Sequence, residues 1–343
     1  MARKSKAAVN VEYFALRFFC GVVNLVPYRI AMALAAALAW TAFHVLRLKR
    51  ARTMERLREV FPEKPESELR DIAWRSFANI LETGVEMMRA PRLTREWMDR
   101  YVVDGRLYKD RLQKYVDEGR GVVIMVPHSG NWYMAAWAMA KYGLPLFAIA
   151  AKQRNPKIDA WMKRQYGDIE VLDRGSMKTL VEIRKRLEAG RAFAILPDLR
   201  VPQPDVEVDF FGGRANVSHA GAMFAVRSGS PIVVAVMRRE RGRHVFDHVA
   251  TLRPDMSGTD RKAEAARLTR EVMRLLDERI RRYPEHWFWY NKRWILQPVG
   301  GRSSSRRKVS LAESGRCVVE SPKTAREAAD GSPGRNTQEG NKS

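Results

Sequence analysis

The stretch that decides the fold is Gly121–Tyr142, GVVIMVPHSGNWYMAAWAMAKY. Its first half is a short, β-branched run of Val, Ile and Met, the pattern of a strand buried on both faces. Pro127 breaks the run, His128 follows in the polar turn Ser129-Gly130-Asn131, and an Ala-, Met- and Trp-rich segment then reads as a helix. An imidazole at the carboxyl end of a buried strand, facing a helix N-terminus, stands where open α/β sheets keep ligands or chemistry. A strand-to-helix turn that merely contains a histidine has the same local pattern, and both readings stand at this point.

Outward from this stretch the pattern of helix, glycine and buried strand repeats. Arg106–Glu118 reads as a helix ended by Gly119, and Lys178–Ala189 as another, closing at Gly190 before the strand Ala192–Leu196. Leu146–Ala151, Glu170–Leu172, Ile232–Met237 and His244–Leu252 are further strands, Tyr101–Gly105 a short strand and turn, and Glu264–Arg282 a last helix before Pro284. Helices alternating with buried strands predict an α/β fold, a mixed, mostly parallel sheet flanked by helices, over residues 101–299. Residues 51–100 read as an amphipathic helical layer, with Leu69, Ile72, Ala73, Ser76, Phe77, Ile80 and Leu81 at helical spacing.

The first 50 residues read as a basic N-terminus and an anchor. Arg3, Lys4 and Lys6 precede no small-residue cleavage site, so no removed signal peptide is expected. Phe14–Phe19 and Gly21–Val26 are apolar but interrupted by Arg17, whereas Ile30–Leu46 is uncharged over 17 residues. That length is the lower limit for spanning a bilayer at about 1.5 Å per residue. Arg47, Lys49, Arg50 and Arg52 follow at once and suit a cytoplasmic interface beside anionic lipid. A buried core helix would share this pattern, and His44 counts against a span, but an N-terminal helical membrane-anchoring region is the favoured expectation, either a short span or a re-entrant helix. From 300 to 343 the composition turns to Ser, Gly, Arg, Lys and Glu, the signature of a disordered polar tail.

The 343 residues carry 62 Lys and Arg against 39 acidic residues, a formal charge of +23. Such an excess calls for an acidic partner: nucleic acid, anionic headgroups or an acidic carrier protein. No zinc-finger spacing, ribonucleoprotein box or leucine zipper accompanies the charge, so nucleic acid is not expected. Cys20 and Cys317 cannot form a disulfide framework and fit a reducing compartment. No clustered His and Cys ligands suggest a metal, and no nucleophile elbow surrounds a serine.

His128-Ser129-Gly130-Asn131-Trp132 resembles the first motif of the bacterial lipid A late (lauroyl/myristoyl-type) acyltransferases, within the lysophospholipid acyltransferase superfamily. That superfamily is marked by a histidine and, four intervening residues on, an Asp or Glu; here Tyr133 holds the carboxylate position. In the family's reaction the imidazole takes the proton of an acceptor hydroxyl that attacks an acyl thioester, and a carboxylate on the far ring nitrogen fixes the tautomer. Backbone N–H groups after the histidine would hold the oxyanion. Tyr133 reads either as an aromatic on the packing face, with Trp137 and Ala140, or as a sign that another carboxylate orients His128. Asp198, in Ile195-Leu196-Pro197-Asp198, is that candidate; a turn or cap aspartate is the competing reading. The family's third motif carries an acid there, usually followed by Gln, where this chain has Leu199.

Three more segments carry the resemblance, which covers about residues 10–298. In Lys152-Gln153-Arg154-Asn155-Pro156, it implies that Arg154 and Asn155 lie beside the acceptor pocket, and a guanidinium suits bidentate grip on phosphate. In Val208-Asp209-Phe210-Phe211-Gly212-Gly213, Phe211 would wall an acyl channel, with Phe210, and Gly212 would allow close backbone approach, although core packing competes for each phenylalanine. Trp287-Phe288-Trp289 followed by Asn291-Lys292-Arg293 resembles the closing signature, which usually reads His-Arg-Arg. Gly130 and Asn131 complete the expected binding residues. The resemblance implies an inner-membrane enzyme with its catalytic domain on the cytoplasmic side. It would move an acyl chain from acyl carrier protein to an anionic glycolipid or phospholipid, a lipid A precursor first, with no cofactor beyond the acyl-thioester donor. The alternatives are another glycero- or amino-lipid acceptor, or a catalytically weakened lipid-binding homologue in which Tyr133 replaces the usual acid.

Overall fold

The computed structural model describes residues 5–298, so the expected tail and the first basic residues lie outside them. All that follows concerns the compact unit Met1–Gly301. Its N-terminal part is helical: α1 Lys6–Leu25, α2 Tyr28–Trp40 continuing through a π-helical turn Thr41–Val45, α3 Arg50–Val60, α4 Glu66–Arg89 and α5 Arg95–Tyr101. Two helices, Lys6–Leu25 and Tyr28–Val45, are long and apolar enough to cross a membrane by length and composition. The apolar run broken by Arg17 is thus a helix in its own right, beside the one expected from Ile30 on.

The rest alternates: β1 Val102–Val103, α6 Gly105–Asp117, β2 Val122–Met125, α7 Trp132–Lys141, β3 Leu146–Ala150, α8 Pro156–Gln165, β4 Glu170–Asp173, α9 Met177–Glu188 and β5 Ala192–Ile195. Then come β6 Val206–Phe210, β7 Gly213–Val217, α10 Ala220–Ser228, β8 Ile232–Glu240, β9 Arg243–Leu252 and α11 Arg261–Arg282. Seven strands form one sheet in the order β1-β9-β8-β2-β5-β3-β4. Only β8 and β9 pair antiparallel, so the sheet is mixed and mostly parallel.

Helix starts follow their capping residues. Asn131 accepts from Met134 N at 3.0 Å to open α7, and Asn155, with Pro156 in the first helical position, accepts from Lys157 N and Ile158 N to open α8. β6 and β7 form a separate hairpin whose two-residue loop is Phe211-Gly212, at φ 52° and 76°. Positive φ at both positions is a hairpin-turn geometry that disfavours a bulky first residue. Phe211 holds it because its ring is buried, stacked on Trp289 at 5.2 Å.

The sheet separates two layers. Val123, Met125, Phe147, Phe193 and Val234 belong to a core shared with Ile183 of α9, Ala225 of α10 and Val272 of α11. One residue along, Val122, Ile124, Leu146, Val233 and Ala235 belong to a second core with Leu112 of α6, Met134 of α7 and Trp161 of α8. Because β2, β3, β4, β5 and β8 run the same way, the residues that follow them share one edge of the sheet. That edge carries the candidate site.

Candidate active site

Register places the two key residues side by side. β2 and β5 are neighbours with Met125 opposite Ile195, and His128 and Asp198 each stand three residues further on, each behind a proline. His128 Nδ1 lies 2.8 Å from Asp198 Oδ1, and the His128 backbone N–H donates to Asp198 Oδ2 at 2.7 Å. The indole N–H of Trp287 donates to the same oxygen at 2.8 Å. Burial opposes the charge of Asp198, but the His128 imidazole and these donors outweigh it and hold the carboxyl below its ordinary value. An ionised Asp198 accepts, so the neutral His128 ring carries its proton on Nδ1 and its lone pair on Nε2. The pair thus has the geometry of an oriented general base.

The loop holding His128 is laced from both sides. Gly130 N donates to His286 O at 2.9 Å and Phe288 N to His128 O at 3.0 Å, so the closing aromatic segment runs as an antiparallel bridge against the loop. Gly130 has φ 56°, and a Cβ there would stand 2.0 Å from the Met237 carbonyl oxygen, which excludes any side chain. Asn79 Nδ2 donates to Gly130 O at 3.0 Å.

Behind the loop lies a fully buried carboxylate that the sequence reading missed. Glu86 accepts from Asn131 Nδ2 at 2.6 Å, Arg239 Nη1 at 2.9 Å, His244 Nε2 at 2.9 Å and the Tyr28 hydroxyl at 2.7 Å. Burial works against its charge, yet Arg239 and then His244 hold it well below the carboxylate range. Burial also pushes His244 down, so the ring is neutral and donates through Nε2. The signal was present in α4: Ser76, Asn79, Thr83 and Glu86 continue the helical stripe begun by Leu69 and Ile72. A polar stripe on a buried face demands partners.

His128 stands at one end of a cavity of about 250 Å³ between the sheet and α6, α7 and α8. Its floor includes Ile124, Ala148, Ala194 and Ala235, its roof Ala135, Ala136 and Met139, and its sides Trp132, Tyr133, Met162 and Tyr166. Tyr108 and Phe246, stacked at 4.6 Å, also line it. Such a slot fits an alkyl chain better than a sugar or a nucleotide. Tyr133 packs against Trp137 at 5.7 Å, and burial pushes its phenol up, so it stays neutral. It is a wall of the cavity, and the carboxylate at His128 is Asp198.

The other expected site residues lie elsewhere. Asn131 is buried, caps α7 and donates to Glu86. Asn155 is buried, caps α8 and donates to Val9 O at 2.9 Å and Glu12 Oε2 at 3.1 Å. Phe211 and Gly212 form the hairpin turn, packed with Trp287 and Trp289 and outside the cavity lining. Phe210 and Phe211 do not line the cavity, whose aromatic walls are Trp132 and Tyr133 of α7, Tyr166 just after α8, Tyr108 and Phe246. Arg154 is exposed on the site edge, and its neighbour Gln153 lines the cavity. Ser129 N donates to Pro127 O and Gly130 N to His286 O, so both of these N–H groups are engaged within the protein.

The family model for bacterial lipid A biosynthesis acyltransferases matches residues 1–295. The chain is similar to the lipid A biosynthesis palmitoleoyltransferase of Escherichia coli, 22% identical over 315 residues, 87% of this chain and 97% of that protein. It is also similar to the phosphatidylinositol mannoside acyltransferase of Mycobacterium tuberculosis, 26% identical over 232 residues, 65% of this chain and 70% of that one. The corresponding enzyme of Mycolicibacterium smegmatis is 24% identical over 195 residues, 54% of this chain and 60% of its own length. A match that runs through both apolar helices, the sheet and its His128 edge settles the question of kinship: the chain belongs to the bacterial lipid A biosynthesis acyltransferase family.

Proposed function

We propose that this protein is a membrane-bound O-acyltransferase with His128 as general base. The acceptor hydroxyl gives its proton to His128 Nε2 as its oxygen attacks the thioester carbonyl. The tetrahedral intermediate then collapses to the ester, and the thiolate leaves with the proton from the imidazolium. Asp198 keeps Nδ1–H oriented and stabilises the imidazolium. The observation that carries the reading is the 2.8 Å His128–Asp198 pair beside an apolar cavity able to take the acyl chain.

The donor is acyl carrier protein thioester, the acceptor a lipid A precursor, and no cofactor takes part. The +23 charge suits both acidic partners. The chain works at the inner membrane with its sheet domain on the cytoplasmic side, held by α1 and α2, and Arg154 grips an anionic group of the acceptor. A second acceptor class, another glycerolipid or glycolipid, is favoured by the likeness to phosphatidylinositol mannoside acyltransferases.

The test is acyl transfer by the full chain in nanodiscs, with products identified by mass spectrometry. His128→Ala is expected to lower the rate about 10³-fold with the melting temperature retained. Unchanged transfer by the variant would remove His128 from the reaction. Transfer by the native chain to phospholipid alone would replace the lipid A precursor.

A further inference from the structure

α9 begins on the same edge as His128, directly after β4. On its first turns Met177, Leu180 and Val181 stand at i, i+3 and i+4, exposed by 76%, 44% and 51%. Met177 and Val181 lie off the packing face formed by the buried Ile183 and Leu187, and Leu180, in line with Leu187, extends that face into solvent at the tip. Lys178, Arg184 and Lys185 border this apolar tip, Arg184 paired with Glu188 at 2.7 Å and Lys185 with Glu182 at 3.9 Å. Single exposed apolar residues are ordinary, but three on one face, ringed by cations, make the pattern of a helix lying in a lipid headgroup layer.

The tip shares its edge of the sheet with α1. The Asn155 bonds to Val9 O and Glu12 pin the first half of α1 to the start of α8, on the site edge. The loop between β3 and α8 is joined in turn to the end of β4, where Asp173 pairs with Lys152 at 3.1 Å, and the last turn of α8 reaches the same carboxylate through Lys163 at 2.9 Å. The exposed Val11 and Phe14 of α1 therefore belong to the same edge as Met177.

We propose that the N-terminal tip of α9 is a second bilayer contact, seated in an anionic phospholipid surface, that with α1 holds the site edge against the membrane. The contact stands on geometry and charge alone. Its effect on transfer rests on the proposed acyltransferase reading, so two readouts are needed.

The first is depth. A nitroxide at Leu180→Cys, in full chain carrying Cys20→Ala and Cys317→Ser and held in phosphatidylglycerol nanodiscs, is expected to be more accessible to oxygen than to a nickel chelate. A label at Glu118→Cys, exposed on the opposite edge, should show the reverse. Equal behaviour of the two labels overturns the contact. Shielding of the Leu180 label from both reagents overturns it too, because a protein segment would then cover the tip. The second readout is rate: Met177→Gln/Leu180→Gln/Val181→Gln should lose about tenfold in transfer to bilayer-embedded acceptor and less than about twofold to acceptor dispersed in detergent. Equal change in both media overturns the coupling. If the native chain transfers nothing in either medium, the function reading fails, and the nitroxide still decides the contact.

Discussion

On one face of the sheet Phe147 of β3 and Phe193 of β5 are register partners, stacked with ring centroids 4.9 Å apart; on the other face, one residue along each strand, the partners are Ala148 and Ala194. The strands are the same and the backbone is continuous, so side-chain volume alone distinguishes the layers. The phenylalanine face is packed under α9, α10 and α11, whereas the alanine face, with Ala235 from β8 and Ala135 and Ala136 from α7, leaves the cavity beside His128. A hollow of this kind persists because the packed face and the helical layer hold the strands apart from it, and interiors do not flow to fill space. In this molecule one face of the sheet supplies stability and the other supplies room.

That division can be broken at four points. The largest effect is expected where the two faces end together: Asp198→Asn keeps shape but lets the His128 ring turn, and transfer should fall about 10³- to 10⁴-fold. A loss below tenfold in steady-state assays would detach Asp198 from the chemistry. Next, Phe193→Ala on the packed face should cost about 3–5 kcal/mol of stability. A chain of this size would then melt about 10 °C lower, readable by thermal unfolding in nanodiscs. The neighbouring Ala194→Leu should behave in the opposite way. Stability should stay within about 1 kcal/mol, because the cavity receives the added carbons. Transfer of long acyl chains should fall about tenfold, and short ones should be spared in a chain-length series.

The smallest effect belongs to the sheet margin. Glu170 of β4 is held at about 2, from an ordinary 4.5, chiefly by its hydrogen bond to Arg186 and, against desolvation, by Arg191. A carboxyl depressed in the folded state stabilises fully above its unfolded value, and that contribution fades as pH falls toward the folded one. Glu170→Gln should therefore lower the melting temperature slightly at pH 7, and the gap to the native chain should close between pH 4.5 and about 2. A constant gap across that window would assign the loss to packing.

Strand–turn–helix order was legible from Gly121 to Tyr142 because apolar runs, Pro127 and the Asn131 cap act locally. The pairing of His128 with Asp198 was legible through the family resemblance and the place of Asp198 after a buried strand, but not in local pattern, since it depends on β2 lying beside β5 and strand order is decided by packing across the whole domain. Asn131 and Asn155 illustrate the converse, a structural role that was legible and was passed over. A motif suggested ligand contact, while each sits immediately before a helix, and Pro156 after Asn155 spells a helix start. Trp287 entered the reading only as part of an aromatic signature. Its bond to Asp198 spans 89 residues of sequence and leaves no local trace.

Glu86 has a consequence for how the protein is made. Its partner Arg239 is synthesised 153 residues later, and His244 later still. At ribosomal speeds that delay is roughly 8–30 s. Throughout it the carboxylate lacks its counter-ion, so burying it in the charged form is disfavoured. Helix α4 reaches its final charged, paired seating on the sheet only once β8 and β9 have emerged. With α1 and α2 as the proposed anchor, the apolar helices would reach the bilayer before the domain behind them closes, which would make closure a post-insertion step.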